Sequence, residues 1–251
     1  MKYTDLIFDL YGTLVDIHTD ENDLVWEKTA LYFSFYGARY TADELRNAFH
    51  QNMNSRKAAA GQSYECFPDI PFELVMTDLF RARGITLQAE ELGRNAAQLF
   101  RISSIEYLRL YPGVLDALAR FRKAGCRLWL LSNAQRIFTA YELTALGLGS
   151  QLDGVYISSD YRCRKPDKRF FRALIEEQQL DISRCLMIGN DLGTDIGGAR
   201  VAGLDTLYMH TNLTPPDQRA AKASTIPGHY EYEGYDWEEL SRLILEIIEG
   251  K

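Results

Sequence analysis

Short apolar runs recur along the chain, and each ends in polar residues. Leu6-Ile7-Phe8 stops at Asp9 and opens onto Tyr11-Gly12-Thr13, and comparable runs cover residues 126–131, 154–158, 185–189 and 204–209. Runs this short, without polar alternation, read as strands buried on both faces of a parallel sheet. Between them the apolar spacing changes to that of a helix. Residues 114–123 place Leu115, Leu118, Ala119 and Phe121 inward, and helices are also expected over 136–146, 168–178, 195–202 and, as a closing element, 237–248. Strands alternating with helices predict βαβ units, hence an α/β protein with a Rossmann-like parallel sheet covered on both faces.

The alternation lapses between Asp16 and Tyr111. Amphipathic helices are expected there over 23–36, carrying Leu24, Ala30, Leu31 and Phe35, and over 41–52, opened by the Thr41-to-Glu44 capping box. Two more follow over 71–83 and 88–107, with Gly84 at a helix end and Pro112-Gly113 marking the return to the sheet. The expected organisation is a core domain of residues 1–16 and 110–251 with an inserted helical cap of residues 17–109. No internal repeat or low-complexity linker interrupts it.

Composition narrows the function classes. The 251 residues are 46% hydrophobic and 25% charged, an ordinary globular balance. Lys plus Arg number 28 against 35 Asp plus Glu, a net charge of −7, which argues against a nucleic-acid partner. A small anion in a local basic pocket remains compatible. No run of about 18 apolar residues suggests a membrane span, and the first residues lack the pattern of a secretory signal. Cys66, Cys126, Cys163 and Cys185 are scattered without metal-ligand spacing, so free thiols in a cytoplasmic protein are expected. The aromatic cluster Tyr32, Phe33, Phe35 and Tyr36 is expected to pack in the core, with a self-association face as the other use; monomer and homodimer both stay open.

Ligands of open parallel sheets bind at the carboxyl ends of the strands, and four polar clusters fall there. Asp9, just past its strand, is placed to act as a nucleophile. Ser132 and Asn133, ending the most apolar strand, can hold an anionic oxygen. Lys165, beside Pro166, can bridge a carboxylate and an anionic substrate. Asp191 and Asp195 are four residues apart. With a helix starting near Gly193, Asp195 falls in its first turn, where the dipole favours a carboxylate, and Asp191 points from the loop toward Asp9. Such a facing pair repels unless a cation lies between, and oxygen ligands with room for water suit magnesium. Singly, each has a plainer use as a turn former or helix cap. Together they indicate a site for a small anionic substrate.

These residues resemble the haloacid dehalogenase-like hydrolase superfamily over nearly the whole chain. The motifs are Asp9-Leu10-Tyr11-Gly12-Thr13, Leu130-Leu131-Ser132-Asn133, Lys165-Pro166-Asp167, and the loop from Gly189-Asn190-Asp191 to Asp195. The insertion after the first motif is similar to the helical cap subclass. The resemblance implies that Asp9 attacks the substrate to form a covalent aspartyl intermediate, which water hydrolyses. It implies Thr13, Ser132 and Asn133 at the substrate and Lys165 as charge partner. It also implies magnesium on Asp9, the Tyr11 carbonyl and Asp191, with Asp195 as a further or water-mediated ligand.

Tyr11 departs from the phosphatase pattern, which has a second Asp there to protonate the leaving oxygen and activate water. A phenol is a poor base at neutral pH. The Asp-x-Tyr-Gly-Thr form is similar to the 2-haloacid dehalogenase branch, whose halide leaving group needs no proton. Asp191 points the other way, because that branch works without metal and resembles Ser-Ser-Asn-x-x-Asp at this loop. Three readings follow: a magnesium-dependent phosphatase of small metabolites, a metal-independent 2-haloacid dehalogenase, and a binding module that has lost turnover. Arg46 and Arg56 are candidate cap arginines for the dehalogenase reading, against the plainer reading of solvated helix faces. His18 lies at the cap hinge, and residues 64–68 form a candidate specificity loop.

Overall fold

A computed structural model describes residues 1–61, 66–218 and 229–250. In chain order the elements are β1 (Asp5–Phe8), β2 (Val15–Thr19), α1 (Asp23–Phe35), α2 (Ala42–Ala60), α3 (Phe72–Ala82), α4 (Ala89–Ser104), β3 (Ile105–Leu110), α5 (Val114–Lys123), β4 (Arg127–Ser132) and α6 (Arg136–Ala145). There follow β5 (Gly154–Ile157), α7 (Ser158–Tyr161), α8 (Lys168–Glu177), β6 (Cys185–Gly189), a π-helical turn (Leu192–Gly197), α9 (Gly198–Val201), β7 (Asp205–His210), β8 (His229–Glu233) and α10 (Trp237–Glu249).

Six strands form one parallel sheet in the order β5-β4-β1-β6-β7-β8. Side chains alternate across it, as a strand requires. Leu6 and Phe8 join Leu118, Phe121, Trp237 and Ile244 on the α5 and α10 face. Ile7 and Met187 join Phe170, Phe171 and Ala199 on the opposite face. The expected strands are present; β8, a polar-aromatic edge strand, was not among them.

Helices α1 to α4 share a separate apolar core around Trp26, Phe33, Phe49, Phe80 and Phe100. The Thr41 capping box forms as expected, Glu44 N–H donating to Thr41 Oγ1 (3.2 Å) and Thr41 N–H to Glu44 Oε2 (2.9 Å). Helix α2 runs eight residues past its expected end at position 52, through a stretch of good helix formers, to Gly61. Helix α4 stops at Ser104 instead of 107, because β3 pairs antiparallel with β2 (Val15↔Leu110, Ile17↔Leu108). This ribbon joins the helical insertion to the sheet.

Two inward faces differ from expectation. In α1 the buried residues are Val25, Trp26, Thr29, Ala30 and Phe33, while Leu24, Leu31 (71% exposed) and Phe35 (81% exposed) face outward. In α5, Val114 and Ala117 are buried with Leu118 and Phe121, and Leu115 and Ala119 face out. All four cysteines are free thiols. No described helix is long and apolar enough to cross a membrane.

Candidate active site

The sheet order reverses direction at β1, and the chain leaves β4, β1 and β6 at the same edge. That is the switch point at which open α/β sheets bind ligands. Asp9 follows β1, Ser132 ends β4, and Asp191 follows β6. Lys165 reaches them from the loop between α7 and α8. The resulting pocket, about 320 Å³, is lined by Asp9, Tyr11, Asn133, Lys165, Asp191 and Asp195, among others. Two glycines allow the close approach. Gly12 has φ +86°, and a Cβ there would come within 2.3 Å of Asn190 Nδ2. At Gly189 a Cβ would strike the Asp195 carboxylate at 2.4 Å.

Lys165 is 1% exposed and donates to Asp9 Oδ1, Asp195 Oδ1 and the Leu131 carbonyl, each at 2.7 Å. Burial opposes its charge, but the Asp195 and Asp9 carboxylates outweigh burial and hold the ammonium above its ordinary pKa. Burial, and then the charge of Asp9, push the Asp195 carboxyl up against the pull of Lys165. Asp195 Oδ2 also accepts the Asp191 N–H at 3.0 Å. Asp195 therefore anchors the lysine and the loop beneath Asp191.

Asp191 caps the π-helical turn, its Oδ1 accepting from Gly193 N–H (2.9 Å) and Thr194 N–H (2.7 Å). Among the described residues, Asp9 Oδ2 and Asp191 Oδ2 have no hydrogen-bond partner, and no main-chain donor reaches the Tyr11 carbonyl. These three oxygens fit magnesium, which takes few protein oxygens and keeps positions for water and phosphate. No group of three or more His, Cys, Asp or Glu side chains suited to a metal occurs among the described residues, so the carbonyl and outside oxygens are needed to complete a coordination shell. The Ser132 hydroxyl is buried without a partner. A buried hydroxyl left unpaired is costly; Ser132 does not itself line the pocket but directly precedes Asn133, which does.

The other expected site residues have further duties. Asn133 accepts the Lys165 N–H (2.7 Å) and donates to the Lys165 carbonyl (3.0 Å), so its side chain positions the lysine loop. Thr13 is fully buried and its hydroxyl donates to Asn190 Oδ1 (3.4 Å). The Tyr11 phenol donates to Glu142 Oε2 and meets Thr139 Oγ1 at 3.0 Å. Burial, then the charge of Glu142, raise its pKa, so it keeps its proton at neutral pH. Arg46 pairs with Asp23, and Arg56 bonds Asp78 and Asn52, all on the cap helices. His18 lies 3.6 Å from Glu106 and stacks on Tyr107 in the hinge ribbon.

Three features escaped the sequence reading. Arg101 of α4 makes a two-pronged bond to Glu142 of α6 (2.7 and 3.2 Å), joining cap and core behind Tyr11. Arg164, next to Lys165, lines the pocket. The third is a seam. Asp69 N–H donates to the Arg162 carbonyl (3.1 Å), Arg164 N–H to the Phe67 carbonyl (2.9 Å), and Ser158 Oγ to Asp69 Oδ2 (2.5 Å). Of the candidate specificity loop, Cys66 to Pro68 lie beside this seam, while Tyr64 and Glu65 fall outside the described residues.

The fold gathers the Asp9, Asp191 and Asp195 carboxylates together with the buried Lys165 in one pocket at the switch point of the sheet. The haloacid dehalogenase-like hydrolase family model matches residues 6–203, and the chain belongs to that family. The chain is 32% identical over 123 residues to a phosphoglycolate phosphatase of Mesorhizobium japonicum, a match covering 49% of this chain and 54% of the relative. The chain spans about half the length of the first curated relatives it matches. An N-acylneuraminate-9-phosphatase of Homo sapiens is 27% identical over 90% of this chain and 88% of the relative. A crystal structure of a 2-haloacid dehalogenase from Pseudomonas syringae pv. Tomato DC3000 superposes with a TM-score of 0.65 at 18% identity, covering 98% of this chain and 99% of that one. At that identity the likeness concerns the fold.

Proposed function

We propose that the protein is a magnesium-dependent phosphatase of small phosphorylated metabolites. The observation that carries this reading is the placement of Asp191 on the same pocket as Asp9, each with one carboxylate oxygen unpartnered among the described residues. Two such oxygens repel one another and the substrate without a cation. The relatives named as phosphatases support the same reading.

Asp9 Oδ2 attacks phosphorus, and the ester oxygen leaves with the bond electrons. An aspartyl phosphate results, and water then cleaves it to free Asp9 and release phosphate. Lys165 holds the nucleophile's other oxygen and offsets its charge. Magnesium, held by Asp9, the Tyr11 carbonyl and Asp191, would neutralise charge on the phosphoryl group. The phenol of Tyr11 is turned to Glu142 and supplies no proton to the leaving oxygen. A general acid contributes about 10²–10⁴-fold, so alkyl phosphates should turn over slowly, and aryl or acyl phosphates should suffer least.

Hydrolysis of an aryl phosphate measured with magnesium and with chelator tests the reading. Turnover lost in chelator is expected; equal rates, or none in either, reject it. Tyr11 itself favours a second reading, a metal-independent 2-haloacid dehalogenase, and chloride release from 2-chloropropionate in chelator would establish that instead.

A further inference from the structure

Lys165 has no donor left for a second negative charge. An ammonium has three N–H bonds, and Asp9, Asp195 and the Leu131 carbonyl take all three. The pocket is lined by three carboxylates, Asp9, Asp191 and Asp195, and by two cations, Lys165 and Arg164. With Lys165 committed to Asp9 and Asp195, Arg164 is the cation of this lining that no described carboxylate engages. A cation bound between the carboxylates would serve the phosphoryl group. Any further anion on the substrate needs another positive partner.

Arg164 is exposed, and no described carboxylate lies within ion-pairing distance of it. Its main chain is fixed on both sides. Its N–H donates to the Phe67 carbonyl and its carbonyl accepts the Asp167 N–H, both at 2.9 Å. The side chain thus projects from a held strip between Lys165 and the cap seam. Its charge reaches Asp69 on that seam only as a field, with no bond formed.

We propose that Arg164 is a specificity-determining residue that pairs with a carboxylate on the substrate, close to the phosphoryl group. The substrate class is then a short phosphomonoester carrying a carboxylate near its ester oxygen. A guanidinium offers two parallel N–H bonds to a carboxylate, a match that a lone ammonium lacks. This inference rests on the phosphatase reading for the position of the phosphoryl group.

Direct binding tests it without turnover. Phosphonoacetate and ethylphosphonate are of similar size and differ in carboxylate against methyl. Each is titrated calorimetrically into the protein in magnesium buffer. Phosphonoacetate should bind about tenfold tighter, the range of one charge-assisted contact at an open site. Arg164→Ala should bring the ratio of the two dissociation constants close to one, and Arg164→Lys should keep part of it. A ratio near one in the unaltered protein, or one unchanged by Arg164→Ala, overturns the proposal; so does equal weakening of both ligands, which a merely structural residue would give. An Arg164-dependent ratio in a protein that leaves aryl phosphates intact would instead overturn the phosphatase reading and spare the carboxylate contact.

Discussion

At Asp9 one carboxylate oxygen is held by Lys165 and the other faces the pocket. Asp9→Asn keeps the size and an acceptor for the ammonium but removes the nucleophile. Loss of aryl phosphate hydrolysis with a retained thermal midpoint is expected, from parallel assays and melts; retained turnover would exclude attack by this residue. Tyr11→Asp should restore an acid facing the leaving oxygen. A rise in alkyl phosphate turnover of up to about 10²-fold is expected, read from steady-state rates, and an unchanged rate would show that proton supply is not limiting. Asp9 and Asp191 were legible in the sequence because each stands just past a buried parallel strand, at the edge where ligands bind, whereas Lys165, in the loop between α7 and α8, was legible only through its motif with Pro166. Glu142 and Arg101 were not. They are 41 positions apart on different layers, so no local spacing announces their bond. Nor could spacing reveal that Asn133 uses its whole amide on the Lys165 backbone.

Helices α4 and α6 meet through the Arg101–Glu142 bond, whose side chains are 18% and 8% exposed. Removing the arginine alone leaves a shielded carboxylate beside a phenol, whereas removing both leaves no stranded charge. A double-mutant cycle of Arg101→Ala and Glu142→Ala should give a coupling of about 1–3 kcal/mol by urea unfolding. A coupling near zero would mean that the bond does not hold cap to core. At this scale the sheet was legible from its apolar runs, and the Thr41 helix from its capping box. The α1 face was not, since apolar residues occur all round that helix and periodicity cannot choose between Leu31 and Phe33. The ribbon of β2 and β3 was hidden too, because the helical pattern of α4 runs straight into Ile105.

The arrangement of cap on core also carries a pH dependence. Burial raises the Asp69 carboxyl above its ordinary value, against hydrogen bonds from Ser158 and Gln135. The folded chain therefore takes up this proton at higher pH than the unfolded chain. Between the two pKa values the folded state binds more protons, so this group's contribution to stability falls as pH rises through that interval. Thermal midpoints of the unaltered protein and Asp69→Asn, compared from about pH 4 upward, should shift in favour of the variant as pH increases. A shift in favour of the unaltered protein would contradict the assignment. Asp69 belongs to the strip of cap backbone bonded to residues 162–164, immediately before Lys165. Any swing of the helical roof strips main-chain bonds from the segment bearing both positive side chains of the pocket. A roof that lifted to admit a reactant would in the same act unfasten the stretch of chain that carries the pocket's cations.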